Sequence, residues 1–155
     1  MVERLGRIKI EVGLREPLLV PPISGEAQTL LVYSFTSPVS RYPAITVNAM
    51  AKEEAYAEKV RAAVTRRVPA IRDYFDLFHA SRQVGLDFSD SNFINMVRKK
   101  LEVPGNEPID VSLERKRDLE KQLNGQLKPV LRPDDFTRFK LDEVFEFVSG
   151  IADLI

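Results

Sequence analysis

The chain has no cysteine and no tryptophan among its 155 residues, and only one histidine, His79. Without cysteine there is no disulfide framework, no thiolate zinc site and no thiol nucleophile, and one histidine excludes a histidine-rich metal site. Net charge is missing too: 23 Lys and Arg balance 23 Asp and Glu. No overall field therefore draws the chain to nucleic acid or an anionic membrane, and any such binding has to come from a local patch. No stretch reaches the roughly 18 consecutive apolar residues of a membrane-spanning helix. The N-terminal MVERLGRIKIEV, charged at Glu3, Arg4, Arg7, Lys9 and Glu11, lacks the apolar run of a signal peptide. These absences lead to the expectation of a cytoplasmic protein with no membrane partner.

What is present reads as an α+β chain. The length suits a single domain over residues 1–155, with a strand-rich segment at 1–47 and a helical bundle at 48–155. Residues 5 to 15, LGRIKIEVGLR, alternate: Ile8, Ile10, Val12 and Leu14 fall on one face and Arg7, Lys9, Glu11 and Arg15 on the other. Such a strand needs partners, and TLLVYSF (29 to 35) and AITV (44 to 47) supply them, which predicts a sheet of about three strands. The intervening EPLLVPPISGE, with three prolines and a glycine, predicts an irregular crossing.

From Asn48 the period becomes helical. Asn48 is placed to cap a helix over 49 to 66 with Tyr56, Val60, Ala63 and Val64 on one stripe. Pro69 suits the first turn of a helix over 69 to 83, carrying Ile71, Tyr74, Phe75 and Phe78. Further helices are predicted from Ser91 to Leu101, over 112 to 127 with Ser112 as cap, and over about 141 to 154, with VPGNEP and LRPDDF as breaks. The sum is a small sheet followed by a bundle of about five helices. The charged stretch ERKRDLEK (114 to 121) reads as a solvated face, with Lys116 and Glu120 spaced for an ion pair.

Several polar residues invite a functional reading. At 100° per turn-step, with Ile71 at zero, Asp76 falls at about 140° and Asp73 at about 200°, side by side on the face away from the core. Arg72, four residues before Asp76, offers a local ion pair as the ordinary explanation. Lys59 lies between the apolar stripe and a narrow alanine face, where a long amine needs a partner or an outlet: either it snorkels, or it meets a phosphate or the carboxylates of the following helix. Glu11 is ordinary if its strand face meets solvent, and a metal or base carboxylate if that face lines a cleft. His79, at about 80°, reads as a half-buried packing residue. Arg61, Arg66, Arg67 and Arg72 form the one sizeable basic cluster, and Arg61, Arg66 and Arg67 are the nucleic-acid-binding candidates.

Taken in order, GRIKIEVGLRE, AEKVRAAVTRR and RDYFDLF resemble the second half of the AbiEii/AbiGii nucleotidyltransferase toxin family. The matching segments are a strand ending in K-I-E, a helix with A-E-K-x-x-A and a helix with R-D-x-x-D-L. They cover residues 6 to 83, and the trailing helices look like the family's helical C-terminal part. The resemblance implies transfer of a nucleotide from an NTP, with Mg2+, to an RNA or protein acceptor in a toxin-antitoxin or abortive-infection setting. By matching position, Glu11 would be a catalytic and metal-binding carboxylate, Lys59 the nucleotide-binding amine, and Asp73 and Asp76 the helix carboxylates completing the site. The family's first motif, a Gly-Ser or Gly-Gly turn followed by D-x-D on a strand, is absent, and no D-x-D occurs anywhere in the chain. The expectation is therefore a C-terminal portion, truncated or split, inactive alone. Its partners would be an N-terminal catalytic segment, an antitoxin or further copies of itself. The alternatives are a non-enzymatic helical module that binds a protein or RNA, and a degenerate homo-oligomeric remnant.

Overall fold

The computed structural model describes residues 17–27, 32–34, 37–40 and 43–155, with 32–34 and 37–40 described by backbone alone. The segment 5 to 15, and with it Glu11, lies outside the described residues. The fold is α+β, with short strands followed by six helices among the described residues.

Among the described residues the strands form two antiparallel pairs; of the three strands expected in one sheet, the first, over 5 to 15, lies outside those residues. β1 (Ile23–Ala27) pairs with β4 (Ile45–Ala49), Ile23 opposite Ala49 and Ala27 opposite Ile45, and β2 (Val32–Ser34) pairs with β3 (Ser37–Ser40). β1 lies in the segment expected to be irregular. Its two prolines, Pro21 and Pro22, precede the strand and so remove no ladder hydrogen bond. Because directly opposed residues share a face, Ile23, Gly25, Ala27, Ile45, Val47 and Ala49 form one apolar face, and Ser24, Glu26, Thr46 and Asn48 the other. Every residue of both strands is exposed.

Asn48 belongs to β4 and caps nothing. α1 (Lys52–Thr65) starts after Ala51, and no side chain caps it. α2 (Ile71–Gln83) follows a short turn. α3 (Ser91–Leu101) has the expected bounds and is capped by the Asp90 carboxylate, which accepts from the N–H groups of Asn92 and Phe93 at 2.8 and 3.1 Å. α4 (Leu113–Gln122) is capped by Ser112, as its sequence predicts, but ends five residues early. A π-turn over Leu123–Leu127, containing Gly125, follows. A short helix, α5 (Pro133–Arg138), occupies the expected break and opens on proline, whose missing N–H costs nothing in a first turn. α6 (Leu141–Leu154) buries Leu141, Val144, Phe145, Val148 and Ile151.

The core lies among the helices: Val60, Ala63 and Val64 of α1 meet Ile71, Tyr74, Leu77 and Phe78 of α2 and the apolar stripe of α6. Tyr74 stacks on Phe145 with ring centroids 6.0 Å apart, and Phe88 meets Phe93 and Phe147 edge-on at 5.1 and 5.0 Å.

The charged helix α4 is not a simple solvated face. Arg115 is buried, and its guanidinium donates to the Ala63 carbonyl at 3.0 and 2.7 Å and to the Arg66 carbonyl at 3.0 Å. It thus satisfies orphan carbonyls at the C-terminus of α1, whose own last turn has no basic residue. One helical repeat further on, Gln122 accepts from the Ile71 N–H at 3.0 Å and donates to the Pro69 carbonyl at 2.8 Å. α4 therefore staples both ends of the α1–α2 turn. Lys116 pairs across the molecule with Asp142 of α6 at 2.5 Å rather than with Glu120.

Candidate functional site

The α1–α2 turn folds the two helices back on each other and brings Lys59 over the carboxylates of α2. Lys59 Nζ lies 3.2 Å from Asp73 Oδ1 and 2.7 Å from Asp76 Oδ2. From the C-terminus of α1, Arg66 Nη1 approaches Asp73 Oδ2 at 2.9 Å. The expected Arg72–Asp76 pair gives way to Lys59–Asp76. The expectation that both aspartates face away from the core is corrected for Asp73, which is 3% exposed. The wheel places it opposite Ile71, but α1 covers that second side. Asp73 Oδ2 has charge compensation from Arg66 and no aligned hydrogen bond, so the buried carboxylate keeps an acceptor in reserve.

Lys59 is half-buried. Partial burial alone would pull its pKa down, but the hydrogen bond and charge of Asp76, with the charge of Asp73, outweigh this and raise it above the ordinary lysine value. The amine is therefore a stable cation at neutral pH. It opens on a cleft of about 530 Å³ lined by Lys52, Tyr56, Lys59, Phe75, Asp76 and His79, with Ala55. That volume lies in the range of small-molecule sites. His79 is exposed on the cleft wall rather than half-buried in packing.

The remaining candidates separate. Arg61 is 8% exposed, gripped by Glu58 and by Asn106, whose Oδ1 accepts at 2.6 Å, and so presents no guanidinium to a nucleic acid. Arg66 is exposed but committed to Asp73, and Arg67 is exposed. Lys59, Asp73, Asp76 and Arg66 are thus brought together, and Arg61 and Arg67 stand apart from them.

The donor set does not suit Mg2+ on its own. No group of three or more His, Cys, Asp or Glu side chains able to hold a metal occurs among the described residues, and the Asp73 and Asp76 carboxylates are already held by two cations, Lys59 and Arg66. Mg2+ needs near-octahedral oxygen ligation, with carboxylates supplemented by water and substrate phosphates.

Sequence reasoning missed a second charged cluster. Glu54 and Lys100, 0% and 1% exposed, pair at 2.7 Å between α1 and α3. The Glu54 carboxylate also accepts from the N–H groups of Leu19 and Val20 at 2.8 and 3.1 Å. The available signal was a glutamate at the first turn of a helix and a lysine at the apolar spacing of α3, three residues after Val97.

A family model described as "Nucleotidyl transferase AbiEii toxin, Type IV TA system" matches residues 2–147 of the chain. No curated protein and no solved structure matches it significantly.

Proposed function

The chain belongs to the AbiEii nucleotidyltransferase toxin family, and on that premise we propose that it supplies the helical half of a nucleotidyl-transfer site. A segment carrying the D-x-D pair would complete that site. The observation that supports this reading most is the Lys59 amine, held by Asp73 and Asp76 at the mouth of an open cleft between α1 and α2. In this reading Lys59 meets the anionic part of the nucleotide. Asp73, buried and tied to Arg66, positions the amine, and Asp76, half-exposed, faces the cleft. Glu11, outside the described residues, is the further carboxylate that the family pattern implies. An NTP and Mg2+ are the family's cofactors, RNA or protein the acceptor, an antitoxin the partner and the cytoplasm the compartment. In this reading the chain, which has no D-x-D, is inactive until that segment completes the site.

The test is transfer of label from each α-labelled NTP to total RNA or protein. It uses the chain alone, and the chain with a polypeptide carrying a Gly-Ser turn and D-x-D strand encoded beside it. Transfer with both polypeptides, lost at least tenfold in Lys59→Ala, is the expected result. Transfer by the chain alone would refute its inactivity, and indifference to Lys59→Ala would refute the site.

A second reading, a non-enzymatic binding module, is favoured by the exposed apolar face of β1 and β4. It predicts partner capture that tolerates Lys59→Ala. Arg66→Glu does not separate the two readings, because Arg66 touches Asp73; Arg67→Glu does, since it tests RNA binding without disturbing the cluster.

A further inference from the structure

The cleft between α1 and α2 combines two kinds of wall. Tyr56 of α1 and Phe75 of α2 line it with aromatic rings, and Lys59 and Lys52 of α1 stand toward its two ends. The Lys59–Asp76 pair at 2.7 Å bounds one end. At the other, Lys52 donates to the Val84 carbonyl at the C-terminus of α2, at 3.3 Å. Seven residues separate the two lysines, so the stretch of α1 between them is about 10 Å long at about 1.5 Å per residue. That span accommodates a nucleobase with its ribose.

The rings are set before any ligand arrives. Tyr56 meets Phe88 edge-on with centroids 6.1 Å apart, and Phe75 tilts against Phe139 at 5.7 Å, yet both stay partly exposed. Each is thus packed on the core and still lines the cleft, and a side chain already ordered has little rotamer freedom left to lose on binding. Ala55, which also lines the cleft, carries nothing beyond Cβ and leaves the space open. Of the three N–H donors of the Lys59 ammonium, Asp73 and Asp76 engage two, and the third remains for an anion.

A ligand that fits both walls has a flat aromatic body and an anionic tail. We propose that the cleft is the base slot of the incoming nucleotide, with the base stacked on Tyr56 and Phe75, the phosphates at Lys59, and His79 and Lys52 at the outer edge. This rests on the nucleotidyl-transfer reading and adds to it the residues that distinguish a nucleotide from a bare polyphosphate.

The test compares ATP with inorganic tripolyphosphate by calorimetric titration of the intact chain. ATP serves as the probe because stacking tolerates any base. ATP should bind at least fivefold more tightly than tripolyphosphate. Phe75→Leu and Tyr56→Leu should each remove most of that advantage and leave tripolyphosphate unchanged, whereas Lys59→Ala weakens both ligands. Should either aromatic variant lack native helicity by circular dichroism, Ala55→Leu fills the slot from α1 and gives the same readout without emptying the core. Equal affinity for the two ligands, with Lys59→Ala still weakening both, overturns the base slot and leaves the transfer site standing. ATP affinity indifferent to all three slot substitutions overturns it likewise. No binding of ATP, or binding of both ligands that ignores Lys59→Ala, overturns the proposal together with the role of Lys59 on which it rests.

Discussion

Glu54 and Lys100 show what a buried ion pair does and does not contribute. Removing one partner strands a charge, at a cost of about 3–5 kcal/mol, whereas replacing both by packed neutral groups is often close to neutral. Lys100→Met is therefore expected to lower urea-denaturation stability severely, and Glu54→Gln/Lys100→Met to recover part of the loss. The pH dependence follows from the same contacts. Burial pushes the Glu54 carboxyl up, but hydrogen bonds from Lys100 and from the Leu19 and Val20 N–H groups hold it below its usual value. A depressed carboxylate contributes stability above its unfolded pKa of about 4.3 and loses it as pH falls toward the folded value. The unmodified chain should therefore lose stability on acidification below that pH more steeply than Glu54→Gln, by denaturation at a series of pH values. Lys59 runs with the opposite sign. Its amine is raised chiefly by Asp76 against burial, so Asp76→Asn should move the Lys59 titration, followed by NMR at Cε, to lower pH. A titration that does not move would show that Asp76 leaves the amine alone in solution.

Within the helices, α4 governs the site without entering it. Arg115 holds the carbonyls of Ala63 and Arg66, and Gln122 holds the first N–H of α2, so both partners of the Lys59–Asp73 contact hang from one helix. Hydrogen bonds to a charged group contribute about 1.5–3 kcal/mol each, and a stranded buried donor costs about 1–3 kcal/mol. Arg115→Met and Gln122→Leu should each destabilise by that order and loosen Lys59, seen as a lowered Lys59 titration even though neither residue touches it. An unchanged titration would detach α4 from the site. This arrangement also explains what the sequence could reveal. α3 and α6 were legible to their bounds because apolar spacing defines them, with the Asp90 cap fixing the start of α3. Arg115 was not, because its acceptors lie 52 and 49 residues away and its surroundings in sequence are charged. Lys59 was legible as an amine in want of a partner. The burial of Asp73 was not, because a helical wheel knows one covered side and α2 has two. β1 was missed because its prolines masked a strand whose exposed faces carry little propensity signal.

At the scale of the molecule, the burial is uneven. Val60, Tyr74, Leu77 and Val148 are fully buried, whereas every residue of β1 and β4 is exposed. Protection against hydrogen exchange follows buried contact, so dilute protein should show two regimes. Amides in the middle of α1, α2 and α6 should exchange only through a common, rare opening, while those of β1 and β4 exchange locally and fast. Leu77→Ala sharpens the test, since emptying a fully buried leucine site costs about 2–5 kcal/mol. That loss should accelerate the slow amides of all three helices together and leave the ribbon amides at their original rates, read by mass spectrometry of peptides from each element. Acceleration confined to α2 would mean that the helices open separately. Acceleration that includes the ribbon would mean that the ribbon draws its stability from the helical core, contrary to its exposed faces.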